Sequence, residues 1–233
     1  MTNSNIFATV LFSVGPLPVG ETVVTTWGVM LFLFLISWLS TRRLRIEPGA
    51  WQVALEGIVC AIQDAIEAVL PEYSANVLPF IGSLWIFLVI ANLAGIIPGL
   101  HSPTADLSTT AAVAVLVFLS VHWFGLRIHG FRNYLRHYIE PNPILLPFHI
   151  VSEISRTVAL AVRLFGNIFS LEMAALLVLL VAGFLVPVPV LLLHIVEALV
   201  QAYIFGMLAL IYIAGGIQSL ELRKKNGEGV THA

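Results

Sequence analysis

The sequence predicts an all-α membrane protein with about five transmembrane helices plus one amphipathic interfacial helix, the last two spans forming a long tilted hairpin. Three observations lead there. Of the 233 residues 59% are hydrophobic and 10% charged, with a mean hydropathy of +0.97, and a soluble domain of this size could not hide that much apolar surface. Five apolar runs are long enough to cross a bilayer. Nine of the eleven Lys and Arg fall in three clusters (Arg42, Arg43, Arg45; Arg127, Arg132, Arg136; Arg223, Lys224, Lys225), and the spans alternate so that every cluster reaches one side. Residues 1–233 are read as a single integral membrane domain.

Residues 1–20 carry no Lys or Arg and contain Gly15-Pro16-Leu17-Pro18, which reads as an irregular segment on the translocated side. With no basic residue before Arg42 and no clear cleavage site, neither a signal peptide nor a transit peptide is expected. The first span, 22–40, runs straight into Arg42, Arg43 and Arg45, which the positive-inside rule keeps in the cytoplasm, so the N-terminus lies outside. In 51–70, Gln52, Glu56, Gln63 and Glu67 recur at helical spacing opposite Val53, Leu55, Ile58, Val59, Ile62, Ile66 and Val69, and Asp64 widens the polar side. This is an amphipathic helix lying on the cytoplasmic surface or packed beside the bundle.

The second span, 77–97, is led by Pro79, ends at Pro98-Gly99 and carries Asn92. The loop H-S-P-T-A-D-L-S-T-T has no basic residue and belongs outside. Near its end, Asp106 reads as a helix N-cap, since Ser108, Thr109 and Thr110 follow. The third span, 109–126, leads back to the basic, aromatic stretch R-I-H-G-F-R-N-Y-L-R-H. His122, His129 and His137 read as interfacial, without the facing pair at matching depth that haem ligation needs. Beyond Pro141, Pro143 and Pro147 come spans 148–182 and 190–222. Each is about 50 Å long as a helix against a hydrocarbon thickness of roughly 30 Å, so they tilt, bend or run partly along the membrane. Cys60 is the lone cysteine, which rules out an intrachain disulfide and a cysteine metal cluster. No Walker-type phosphate loop occurs; no cofactor, metal or nucleic-acid partner is expected.

Within the span 148–182, Arg163 is costly, roughly 2.5–3.5 kcal/mol on insertion scales. Arg156, Arg163, Asn167 and Ser170 fall at spacings of seven, four and three, so they share a helical stripe that must face protein or water. Arg163 is then either a structural arginine, paired or snorkelling, or the mark of an ion path. On the facing arm His194, Glu197 and Gln201 share a face, which Tyr212 extends. Two stripes on one hairpin make either a self-satisfied network, for example Glu197 with His194, or a pair of aqueous access paths. On the second reading Glu172, His194, Asp106, Asn92 and Glu197 lead inward from outside, while Arg156, Glu153 and Ser152 lead to the cytoplasm.

R-L-F-G-N at 163–167, with Ser155-Arg156 before it and Glu172 nine residues past Arg163, resembles subunit a, the stator ion-channel subunit of the F-type ATP synthase membrane sector. Asn92 in N-L-A-G-I-I-P, and His194 and Gln201 with A-Y-I-F, are similar too, so the resemblance covers most of the chain. It implies a hairpin beside a c-subunit ring and translocation of protons or sodium through two offset half-channels. Arg163 matches the family's essential arginine, Gln201 would lie near it, and Glu172 and His194 match the outer pair. The implied partners are the c-subunit ring, peripheral-stalk b subunits, the soluble ATPase head through the complex, and the lipid bilayer. The chain would be non-catalytic on its own, in a bacterial inner membrane, with its C-terminus cytoplasmic. Thr157 stands where many members have proline after the serine-arginine pair, and Leu171 where glycine commonly precedes the outer glutamate. The first bears on the bend of the helix, the second on the width of the outer path. A stand-alone secondary transporter with an intramembrane arginine binding site is the alternative; it would bring internal repeats, and the sequence has none. A quinone or haem oxidoreductase anchor is disfavoured by the histidine placement.

Overall fold

The computed structural model describes residues 10–14, 17–42, 49–97, 102–130, 146–182 and 187–230. In chain order these form β1 (Val10–Val14), β2 (Leu17–Gly20), α1 (Glu21–Thr41), α2 (Ala50–Glu67), α3 (Ser74–Ala94), a 3₁₀ turn (Pro103–Ala105), α4 (Leu107–His129), α5 (Leu146–Ala182) and α6 (Pro187–Val230). Arg43, Arg45, Pro98-Gly99, Arg132, Arg136, His137, Pro141, Pro143 and the turn 183–186 lie outside the described residues.

Five of the helices are long and apolar enough to span a membrane. The N-terminal segment departs from the irregular chain expected. β1 and β2 pair antiparallel, Phe12 opposite Val19 and Val14 opposite Leu17, with an irregularity between Val10 and Phe12. Val10, Phe12, Val14 and Val19 favour extended backbone, and Pro18 is tolerated because a two-stranded sheet is all edge.

α1 is apolar on every side. Val29 alone among its residues is buried, and Trp27, Phe32, Phe34 and Leu39 are more than half exposed, which suits a helix surrounded by lipid. Thr25 and Thr26 return their hydroxyls to the carbonyls of Glu21 and Thr22 at 3.0 and 2.7 Å, so neither of these hydroxyls is left unpaired in hydrocarbon. α2 closes its polar side with Gln52 donating to Glu56 (2.8 Å) and Gln63 to Glu67 (2.7 Å). Ile66 is its buried residue, while Trp51, Val53 and Ile58 remain exposed.

α3 begins at Ser74, so Pro79 stands inside it rather than at its head. α4 begins at Asp106, whose carboxylate accepts from the Ser108 amide at 2.8 Å, and it stops at Gly130, where φ is 79°. α5 has 37 residues and α6 has 44. α6 therefore continues past the expected end at 222, through L-E-L-R-K-K, whose residues all favour helix. Arg156 lies against Tyr212 and Asn167 against Gln201, so position rises on one arm as it falls on the other and the hairpin is antiparallel.

The core is shared by α3, α4, α5 and α6: Val77, Ile81 and Leu88 meet Val117 and Val121, Leu164 and Ile168, and Phe205, Ile213 and Ile217. Small residues on α6 allow close approach. Ala198, Ala202 and Ala209 are fully buried, and Gly206 lies under the Trp85 indole, whose Nε1 donates to the Tyr203 carbonyl at 3.3 Å.

Candidate functional site

The polar side chains of α5 and α6 sort into levels along the hairpin. At the first level, near the turn, α3 ends in small residues, Ala91, Ala94 and Gly95, and the 3₁₀ turn packs into the space they leave. Asn92, Ser102 and Thr104 are fully buried there. The Ser102 hydroxyl donates to the Ala91 carbonyl (2.9 Å), one of the four that α3 leaves without a helical partner. Thr104 donates to Asn92 Oδ1 (2.7 Å), and Asn92 Nδ2 donates to the Ala198 carbonyl on α6 (3.1 Å). The two hydroxyls themselves lie 2.7 Å apart. Two hydroxyl protons thus serve three contacts, and each hydroxyl can rotate between its partners.

Glu172 enters this cluster from α5. Its Oε1 accepts from the Ser102 amide at 2.8 Å, and a Cβ placed on Gly95 would stand 2.7 Å from the same oxygen and 3.5 Å from the His194 ring. His194 is 1% exposed; the backbone of Asn92 hydrogen-bonds its ring, and Nε2 has no partner among the described residues. The expected relay members Asn92, Glu172 and His194 are therefore brought together. Asp106 and Glu197 are not. Asp106 takes the N-cap role and holds the Ser108 amide and hydroxyl, both at 2.8 Å. Glu197 is half-buried and forms no hydrogen bond or ion pair among the described residues, so the self-satisfied pairing with His194 is not formed.

Further in, Asn167 donates to Gln201 Oε1 at 2.7 Å. Gln201 is 1% exposed and its Nε2 is also without a partner among the described residues. His194 and Gln201 are two turns apart, about 10 Å on one face of α6. Buried polar atoms of this kind are served by ordered water.

Arg163 lies one turn beyond Asn167. It is exposed on the surface of α5, with no hydrogen bond or ion pair among the described residues, and Gln201 bonds Asn167 rather than Arg163. Two further turns along, the Arg156 guanidinium sits 4.6 Å from the centre of the Tyr212 ring, a cation–π contact. Glu153 is one turn past that and meets His122 of α4 at 3.3 Å. Ser102, Thr104 and His122 are the polar groups that sequence reasoning did not place at the site. Among the described residues no group of three His, Cys, Asp or Glu converges as a metal site would need.

Five long apolar helices, polar atoms buried near one end of a long hairpin, and an arginine without a partner among the described residues define a polytopic membrane protein. Residues 23–214 match the ATP synthase A chain family. The chain is 65% identical over 221 residues to "ATP synthase subunit a 2" of Pelobacter propionicus, covering 95% of this chain and 97% of that one. It is 56% identical over 231 residues to "ATP synthase subunit a" of Legionella pneumophila strain Philadelphia 1 (99% and 100% covered), and 60% identical over 216 residues to "ATP synthase subunit a 1" of Hahella chejuensis (93% and 92%). The chain belongs to the ATP synthase A chain family, and is a non-catalytic membrane subunit.

Proposed function

We propose that this chain translocates protons or sodium through two offset half-channels in the membrane sector of a rotary F-type ATP synthase, coupling the ion gradient to c-ring rotation and to ATP synthesis or hydrolysis. The observation that carries the reading is Arg163: exposed on a membrane-spanning helix, without a partner among the described residues, and set between two polar levels. An arginine stays charged in proteins, and a bare charge facing hydrocarbon is costly. No described residue of this chain supplies its counter-charge. A carboxylate on a c-subunit ring meets that need, and at 4 Å with an effective dielectric of 20 the attraction is about 4 kcal/mol.

In this mechanism an ion enters from outside, passes the cluster of Asn92, Glu172 and His194, and neutralises a rotor carboxylate that then turns away into lipid. On return the carboxylate releases its ion to the inner path, lined by Glu153 and Arg156. Arg163 favours the ionised carboxylate at the crossing and repels a cation that would leak straight between the paths. The unpartnered Nε2 atoms of His194 and Gln201 support water reaching that deep on the outer side. Glu197 and Asp106 stand at the margins of this path.

The proposed partners are the c-subunit ring, the peripheral-stalk b subunits and the soluble ATPase head. The proposed setting is a bacterial inner membrane, N-terminus outside and C-terminus cytoplasmic. The test is ATP-driven ion uptake into inverted vesicles holding the whole complex, native against Arg163→Ala, with and without sodium and a protonophore. Abolished uptake with the complex still assembled is expected, and the sodium and protonophore responses identify the ion. Surviving uptake overturns the reading.

A further inference from the structure

His122 reads from sequence as an interfacial residue, yet it faces Glu153 across the contact between α4 and α5. His122 Nε2 lies 3.3 Å from Glu153 Oε2, with side-chain exposures of 28% and 24%. The other ring nitrogen, Nδ1, is 2.9 Å from the Phe118 carbonyl. A carbonyl oxygen only accepts, so Nδ1 carries a hydrogen in every protonation state and the neutral ring presents a lone pair at Nε2. An ionised Glu153 presents lone pairs as well. The contact is favourable when one proton lies between the two atoms, on either of them, and repulsive when none does.

Beside the pair is a cavity of about 20 Å³, lined by Phe118 of α4, by Glu153, Arg156, Thr157 and Leu160 of α5, and by Tyr212 of α6. It has room for about one water molecule. The other α5 residues that line it, Arg156 to Leu160, lie on the side of Glu153 toward Arg163. A tie between two helices needs no ionisable partners, since a packed apolar pair serves at least as well.

We infer that His122 and Glu153, with the cavity beside them, form a proton-holding station on the Arg156 side of Arg163, passing protons between that end of the bundle and the Arg163 level. This rests on the two-path reading above. A proton arriving as hydronium in the cavity is taken up by the Glu153 carboxylate, which lines it, leaves water behind and is then shared between Glu153 Oε2 and His122 Nε2; the reverse steps return it. Among the described residues, the charged and titratable groups that line the same cavity are Arg156 of α5 and Tyr212 of α6, and His149 stands one turn before Glu153 on α5. The fixed charge of Arg156 opposes retention of the proton and so favours release.

The test uses the whole complex in inverted vesicles, where the outer solution replaces the cytoplasm. ATP-driven proton uptake is measured against outer pH for the native complex, His122→Gln/Glu153→Gln, His122→Gln alone and Arg163→Ala. Two glutamines keep a hydrogen bond between α4 and α5 but hold no proton that titrates. The double variant is expected to lower uptake roughly tenfold or more, and both His122 variants to change the dependence on outer pH. Native rate and pH profile in the double variant overturn the station, leaving the pair a tie between helices. If the double variant does not assemble, an unchanged pH profile in His122→Gln decides in the same direction. Uptake that depends on sodium and ignores a protonophore also overturns it. Uptake surviving in Arg163→Ala defeats the two-path reading itself, whereas its loss beside native behaviour of the pair variants sinks only the station.

Discussion

Asn167 donates from Nδ2 to Gln201 Oε1 over 2.7 Å, while Gln201 Nε2, buried in the same place, has no partner among the described residues. This bond joins the two arms of the hairpin one turn from Arg163. Removing one partner is costlier than removing both, because the survivor stays buried without its bond.

Asn167→Leu is therefore expected to destabilise the subunit by about 1–3 kcal/mol, and Asn167→Leu/Gln201→Leu by less than the single change. Thermal release of the subunit from the detergent-solubilised complex measures both. A double variant less stable than Asn167→Leu would show that the bond does not tie the arms.

The position of the Glu172 carboxylate depends on a missing side chain. A Cβ on Gly95 would stand 2.7 Å from Glu172 Oε1 and 3.0 Å from Ser102 Cβ. Gly95→Ala should then push the carboxylate off the Ser102 amide and slow ion uptake several-fold, with assembly retained. Glu172→Asp shortens the side chain by one methylene, so the combination Gly95→Ala/Glu172→Asp should recover part of the rate. Native uptake in Gly95→Ala alone would mean that Glu172 has room the structure does not give it.

Helical period is enough to set His194 and Gln201 on one face, and both are buried on one side of α6. It also groups Arg156 with Arg163 on one stripe of α5, where both are exposed. It cannot reach Ser102, whose amide finds Glu172 seventy residues away because the 3₁₀ turn folds back onto α3. No local spacing encodes that return. His122 is hidden for the same reason, since its partner is on another helix and both sit among apolar residues that pack equally well without them. Glu197 is the opposite case: its spacing from His194 suggests a contact, and the structure leaves it apart. The apolar runs and basic clusters locate the spans because membrane thickness and charge sidedness act on each segment alone, whereas the hairpin at Val10–Gly20 depends on pairing.

Asp106 separates capping from conduction. Its carboxylate holds the Ser108 amide and hydroxyl at the start of α4, both at 2.8 Å. Asp106→Ala should cost about 1 kcal/mol through the lost cap, and Asp106→Asn, which still accepts, should cost little. Uptake by the asparagine variant should match native. A loss of uptake in Asp106→Asn with unchanged thermal stability would instead assign the carboxylate's charge to the outer path.

Gly206 sets how closely α6 approaches α3. A Cβ there would run into the Trp85 indole, whose Nε1 donates to the Tyr203 carbonyl and whose ring stacks on Tyr203 at 5.8 Å. The indole is 6% exposed and held on both sides, so it cannot move aside as a surface side chain would. Overpacking of this kind costs about 1–3 kcal/mol, and because α3 also carries Asn92, a displaced α3 lengthens the 3.1 Å bond from Asn92 to Ala198. Gly206→Ala should therefore lower both the melting temperature of the complex and ion uptake. Trp85→Phe, which opens space and leaves no indole N–H to satisfy, should relieve the Gly206→Ala defect when combined with it. Equal defects in Gly206→Ala and in the combination would mean that the close approach of the two helices is set elsewhere.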